Sequence, residues 1–179
     1  MICWGDKIPA RETPHPGVRG WSPPGVSIDP SPHVVTMPPV RQLAAGGGRL
    51  CAVMVDGHVF CPQDVSQWKY ISTPTPFVQI GPVRSISVGH HQTCAILDSG
   101  QVACWGQNDH GELGIGTLGP WPYPADRAIE PVVGLDHVVA LSAGGYHTCA
   151  VRADGAVFCW GSNWAGQLGL GTIGFRATP

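Results

Sequence analysis

The stretch Cys149-Ala150-Val151-Arg152-Ala153-Asp154-Gly155-Ala156-Val157-Phe158-Cys159 decides the fold of this chain. Residues 148–151 and 156–160 are short runs of β-branched, aromatic and small apolar side chains, parted by Asp154-Gly155. Such runs, bounded by turn residues, read as strands. A three-residue loop, Ala153-Asp154-Gly155, joins them as a hairpin: a type I turn closed by a left-handed residue, a position that suits glycine. Arg152 then faces Ala156, Val151 faces Val157, and Cys149 lands opposite Cys159. Opposed residues of an antiparallel pair lie about 4.5–5.5 Å apart at Cα. A disulfide spans about 4.4–6.8 Å.

The pattern occurs twice more. Cys51 faces Cys61 around Val55-Asp56-Gly57, and Cys94 faces Cys104 around Asp98-Ser99-Gly100. The blocks 34–61, 77–104 and 132–159 superpose without a gap, and each carries an apolar run into glycine: Leu43-Ala44-Ala45-Gly46, Ile86-Ser87-Val88-Gly89 and Leu141-Ser142-Ala143-Gly144. A fixed block separated by variable inserts marks a repeat architecture. Each repeat is one unit that cannot bury its apolar faces alone. Four strands are expected per block; in the last they fall at 132–133, 138–142, 148–151 and 156–160. No stretch sustains a helical i, i+3, i+4 pattern.

Two readings of the cysteines stand side by side, cross-strand disulfides and buried free thiols. Recurrence in every block favours the disulfides Cys51–Cys61, Cys94–Cys104 and Cys149–Cys159, hence an oxidising, extracytoplasmic compartment. Nine intervening residues do not fit a zinc finger, and no metal site is expected.

Composition excludes several functions. Charged residues make up 12% of 179 positions, the net charge is −2, and no Lys/Arg cluster exists. A phosphate backbone finds nothing to hold, so no nucleic-acid partner is expected. Hydrophobic residues reach 43%, enough for a core. The 25 glycines recur at fixed places, and the 18 prolines gather mostly between blocks, as in Gly119-Pro120-Trp121-Pro122-Tyr123-Pro124. No apolar run of about 18 residues predicts a membrane helix. Met1-Ile2-Cys3-Trp4-Gly5 does not read as a secretory signal.

At Cys104-Trp105-Gly106-Gln107-Asn108-Asp109-His110-Gly111-Glu112-Leu113-Gly114 and Cys159-Trp160-Gly161-Ser162-Asn163-Trp164-Ala165-Gly166-Gln167-Leu168-Gly169 the chain resembles the regulator of chromosome condensation repeat family. Tyr146-His147-Thr148-Cys149-Ala150-Val151 matches as well, and the resemblance runs from Val34 to Thr172. It implies an all-β fold, a β-propeller of four-stranded blades, normally seven. In that frame residues 1–33 are the end strand of a preceding blade plus a Pro/Gly-rich connection. Residues 34–76 are a blade with a degenerate connection, since Cys61 is followed by Pro62-Gln63 rather than Trp-Gly. Residues 77–131 are a blade with a long insert, and 132–179 a blade and the start of the next connection. Three blades and one strand do not close a ring. The chain is therefore expected to be a fragment of a longer propeller, or to self-associate through open blade edges. Leu113 and Leu168 are expected to pack between blades, and Cys3 is left without a mate.

No nucleophile elbow, phosphate loop, His-Glu-x-x-His or calcium loop is present, so neither an enzyme nor a cofactor is expected. Loops carry the variation. One face should present Gly47-Gly48-Arg49, His90-His91-Gln92 and Gly145-Tyr146-His147 together with the inserts. The candidate contact residues for another protein are His90, His91, Tyr146, His147, Trp121 and Trp164, since aromatics on a loop face favour protein recognition. The tryptophans equally well fill gaps between blades. Trp4, Trp105 and Trp160 end strands and read as structural. The function expected is a non-enzymatic interaction scaffold. The resemblance adds two narrower readings, nucleotide exchange on a small GTPase and a secreted propeller-type enzyme inhibitor.

Overall fold

A computed structural model describes residues 2–3, 33–34, 39–61, 80–119 and 129–179. The chain divides into two compact units, 1–38 and 39–179. In the first, β1 (Ile2–Cys3) pairs antiparallel with β2 (His33–Val34), Ile2 opposite Val34. The second holds three antiparallel sheets. The first is β3 (Val40–Gly46), β4 (Arg49–Met54) and β5 (Val59–Phe60). The second is β6 (Val83–Val88), β7 (Gln92–Leu97), β8 (Val102–Gly106) and β9 (Glu130–Pro131). The third is β10 (Val138–Ala143), β11 (His147–Arg152), β12 (Val157–Ser162) and β13 (Phe175–Arg176).

The hairpin register is the expected one. Cys149 lies opposite Cys159 and Val151 opposite Val157, and Cys94 lies opposite Cys104. Arg152 N donates to Ala156 O at 2.9 Å. The glycine closing each turn is left-handed, with φ of 86° at Gly57, 84° at Gly100 and 86° at Gly155. Disulfides join Cys51–Cys61, Cys94–Cys104 and Cys149–Cys159, with Cα separations of 4.3, 4.1 and 4.1 Å.

One element departs from expectation. The strand predicted at 132–133 to open its own block lies at Glu130–Pro131 and completes the preceding sheet, with Ala103 opposite Pro131 and Cys104 opposite Glu130. β13 completes the last sheet in the same way, with Gly161 opposite Arg176. The repeat in sequence is therefore offset by one strand from the repeat in space. The second and third sheets each take their outer strand from the following connection, through backbone pairing of β8 with β9 and of β12 with β13.

Side chains fill the spaces between sheets. Cys51, Val53 and Val59 of the first sheet pack with Val83, Ile86 and Ala95 of the second. Cys94, Ile96 and Val102 of the second pack with Val138, Ala150 and Trp160 of the third, and with Leu113 and Ile115 of the connection. Leu113 is fully buried, as expected of an inter-sheet leucine. The connection is folded around Asn108, whose Oδ1 accepts from Leu113 N at 3.0 Å and whose Nδ2 donates to Thr117 O at 2.7 Å. Asn163 repeats this with Leu168 N at 2.9 Å and Thr172 O at 2.6 Å. The last sheet leaves one face bare: Val157 is 65% exposed where its counterpart Val102 is 1% exposed.

Polar clamps cross the same interfaces. Gln42 exchanges two hydrogen bonds with the Ile86 backbone, both 3.0 Å. Arg49 donates to Gly89 O and Gln92 O at 3.2 and 3.1 Å. At the equivalent position one sheet on, Gln92 donates to Gly144 O and His147 O at 3.3 and 2.9 Å. Gly89 lets the backbones meet there, since a Cβ on it would stand 2.3 Å from Gly144 O.

The exposed tip of the third hairpin supplies a pH test. Arg152 Nε donates to Asp154 Oδ2 at 3.0 Å, and Ala156 N donates to Oδ1 at 3.1 Å. The Arg152 bond, then the Ala156 bond, hold the Asp154 carboxyl down at about 2. The folded value lies below the unfolded value of about 3.9, so this stabilisation is present above that value and is lost as pH falls toward 2. Asp154→Asn is expected to lower the melting temperature at neutral pH, the gap to wild type closing by about pH 2. A gap independent of pH would show that the carboxylate charge plays no part.

Candidate functional site

Four rings converge where the turns after β6 and β10 meet the connection that follows β8. Gln107 N donates to His91 O at 3.0 Å and brings the connection to the turn. Residues 91 and 146 hold the same repeat position in adjacent sheets, so the sheet stacking also stacks their rings. The His91 and Tyr146 centroids are 4.9 Å apart at an interplanar angle of 26°. His90 meets His91 edge-on at 4.1 Å, and His110 meets Tyr146 edge-on at 5.3 Å.

Hydrogen bonds fix the rings. His90 Nδ1 is 2.6 Å from His91 Nε2, which is 3.1 Å from Tyr146 Oη. His110 Nδ1 is 3.2 Å from Glu112 Oε1, and His110 N donates to Glu112 Oε2 at 2.8 Å. The Glu112 side chain is fully buried, whereas that of His110 is 33% exposed. Burial first, then the charges of His90 and Arg49, push the His91 imidazole below its ordinary value, against the opposing pull of Glu112 and Asp109. Tyr146 is 40% exposed. The cluster is an open, hydrogen-bonded patch with one buried carboxylate behind it.

Of the six candidate contact residues, three come together here: His90, His91 and Tyr146. His147 sits on β11 with its ring against Gly144, where an added Cβ would lie 2.4 Å from Cε1, and it receives the Gln92 clamp through its carbonyl. Trp164 is 60% exposed in the final connection, at the repeat position of Asp109. Trp121 lies outside the described residues, as do Trp4, Trp21 and Trp68. Two members were not singled out from the sequence, His110 and Glu112. Their signal was a departure from the repeat, because the next connection carries Ala165 and Gln167 in their places. Gln167 keeps the turn, accepting from Ala165 N at 3.0 Å, so the fold needs an acceptor there but not a charge. Among the described residues no group of three or more His, Cys, Asp or Glu side chains is placed to hold a metal ion.

The fold is an all-β propeller assembly of antiparallel sheets, as comparison with solved structures shows. Saccharomyces cerevisiae Prp20p superposes with a TM-score of 0.67 at 20% identity, covering 84% of this chain and 40% of Prp20p. Human WBSCR16 superposes at 0.60 with 24% identity, covering 78% of this chain and 38% of WBSCR16. Residues 83–167 carry repeats similar to those of the regulator of chromosome condensation (RCC1) family: two sequence models of that repeat match residues 83–112 and 138–167, and residues 99–151. Human HERC3, named as a probable E3 ubiquitin-protein ligase, is 40% identical over 77 residues, which are 42% of this chain and 7% of HERC3. Mouse RCC1 domain-containing protein 1 is 40% identical over 68 residues, 38% of this chain and 17% of that protein. The chain thus spans a small part of these relatives, and the likeness lies in the repeats.

Proposed function

We propose that this chain is a non-enzymatic protein-interaction scaffold whose loop face docks another protein. One observation carries the reading: the stacked, exposed cluster of His90, His91, His110 and Tyr146, built across two sheets on that face. Ring-bearing side chains held by their own hydrogen bonds lose little freedom on binding, and that lowers the cost of contact. Trp164 offers a second exposed ring. Solved relatives support a protein partner, since one structure holds Kap60 bound to yeast RCC1 (Prp20). The paired cysteines support an oxidising, extracytoplasmic setting for the encounter.

The test compares what wild type and His91→Ala/Tyr146→Ala/Trp164→Ala capture from native extract, by quantitative mass spectrometry. Circular dichroism checks that the variant stays folded. A partner held by wild type and depleted about tenfold or more by the variant is expected, since truncating hot-spot residues costs about 2 kcal/mol or more. Equal capture by both would defeat the reading. Two narrower forms belong to the same proposal. Exchange on a small GTPase predicts accelerated nucleotide release from that GTPase, and inhibition of a secreted enzyme predicts a stoichiometric loss of its activity. Self-association through the bare face at Val157 is a further form, which a concentration-independent sedimentation coefficient would remove.

A further inference from the structure

The ring cluster holds more titratable groups than a docking patch needs. The charges acting on His91 come from three elements: His90 in its own turn, Arg49 on β4, and Asp109 and Glu112 in the connection after β8. His110 joins through Glu112, and Tyr146 brings a phenol from the next sheet. With all imidazoles neutral, one guanidinium stands against two carboxylates, leaving one negative charge. Imidazoles gain protons between about pH 8 and 5.

The geometry limits how many. His90 Nδ1 and His91 Nε2 are 2.6 Å apart, so a single proton lies between them. Two N–H groups cannot face each other across that gap. With the contact intact the pair therefore takes up one further proton, on an outward nitrogen, His90 Nε2 or His91 Nδ1. The imidazole of His110, 3.2 Å from Glu112 Oε1, is the second site for a proton. Two protons turn one negative charge into one positive, and both new N–H donors belong to the partly exposed rings.

We infer that the His90–His91–His110–Tyr146 cluster is a pH-gated dock for an acidic segment of a partner protein, closed to it near neutral pH and open in mildly acidic surroundings. This rests on the loop face being the docking face. Carboxylates of the segment accept from the outward imidazolium nitrogens, beside the Tyr146 hydroxyl that lies 3.1 Å from His91 Nε2. By linkage, a ligand that prefers the protonated site draws protons onto the protein as it binds.

A fluorescein-labelled hexa-aspartate peptide is the probe, read by anisotropy with the full chain at about pH 5.5 and 7.5. Binding is expected to be about tenfold tighter at the lower pH, equivalent to one pKa unit of coupling. It should also weaken with added salt. Calorimetry in buffers of different ionisation enthalpy should record net proton uptake. His90→Gln/His91→Gln/His110→Gln, substituted at partly exposed positions, should bind within about twofold at both values. Preference for hexalysine at the lower pH, no change between the two values, or a pH response kept by the triple variant would overturn the gate. So would inorganic phosphate competing as well as the peptide, since a small anion would then be the ligand. The two readings fail separately. A natural partner held equally at both values and lost in the Tyr146 variant keeps the scaffold and removes the gate.

Discussion

Trp160→Ala is expected to lower the free energy of unfolding by about 3–5 kcal/mol, the largest loss from any single side chain described here. The indole is fully buried, and it packs in the core formed with Val102, Leu113, Ile115 and Val138. It therefore joins the third sheet to the connection of the second. Nε1 donates to Glu112 O at 2.8 Å, where Thr148 Oγ1 also donates at 3.3 Å. Gly114 lies beneath the ring with φ 68°, and a Cβ there would stand 2.7 Å from Nε1. Truncation leaves a cavity on a glycine floor with no side chain to fill it, and a buried carbonyl with only the longer of its two bonds. Trp160→Phe keeps most of the ring and loses the donor, so about 1–2 kcal/mol is expected. Trp164→Ala, at 60% exposure, is expected within about 0.5 kcal/mol. Urea unfolding followed by circular dichroism orders the three. A Trp160→Ala loss under about 1 kcal/mol would mean the sheets do not depend on one another.

The blade was legible in the sequence because its constraints are local. A ten-residue cysteine spacing around Asp-Gly or Ser-Gly leaves one hairpin register, and the cysteines met in it. Leu113, Trp105 and Trp160 were readable as packing residues because they recur at strand ends and in the Asn-to-Gly segment. Sheet membership of the opening strand was not legible. Nothing local to Glu130–Pro131 says whether it pairs forward to β10 or back to β8, since that is set by the path of the connection. The site was half legible. His90, His91 and Tyr146 stood out as rings in turns, yet their meeting depends on equivalent turns stacking from sheet to sheet. His110 and Glu112 were hidden inside a segment whose repeat already explained it. Comparing the two copies of that segment position by position separates what the fold requires, Asn108 and Asn163, from what only one copy carries, His110 and Glu112.

Reduction should dismantle the chain from its bare end. Each disulfide closes a loop of sequence separation 10, worth about 3 kcal/mol in the chain-entropy model. Three such terms are comparable with the whole stability of an ordinary domain, about 5–15 kcal/mol. Full reduction is therefore expected to abolish the cooperative thermal transition. The order follows access. Cys149 and Cys159 are partly exposed on the uncovered face of the last sheet, whereas Cys94 and Cys104 are 0% exposed beneath the third sheet. Cys51 and Cys61 lie between, at 2% and 8%. Graded dithiothreitol with alkylation and peptide mapping should label 149/159 first and 94/104 last, the last pair only as the third sheet detaches. Trp160→Ala should bring the 94/104 labelling forward, because that ring is part of what covers it. Simultaneous labelling of all pairs would make the sheets one cooperative unit rather than a stack. The same chemistry tests the compartment: the six paired cysteines, 51/61, 94/104 and 149/159, should resist alkylation in protein isolated from its native source. Reactive thiols at those six positions would leave the strand pairing intact and remove the argument for an oxidising environment, because opposed cysteines meet across the hairpin whether or not they are joined.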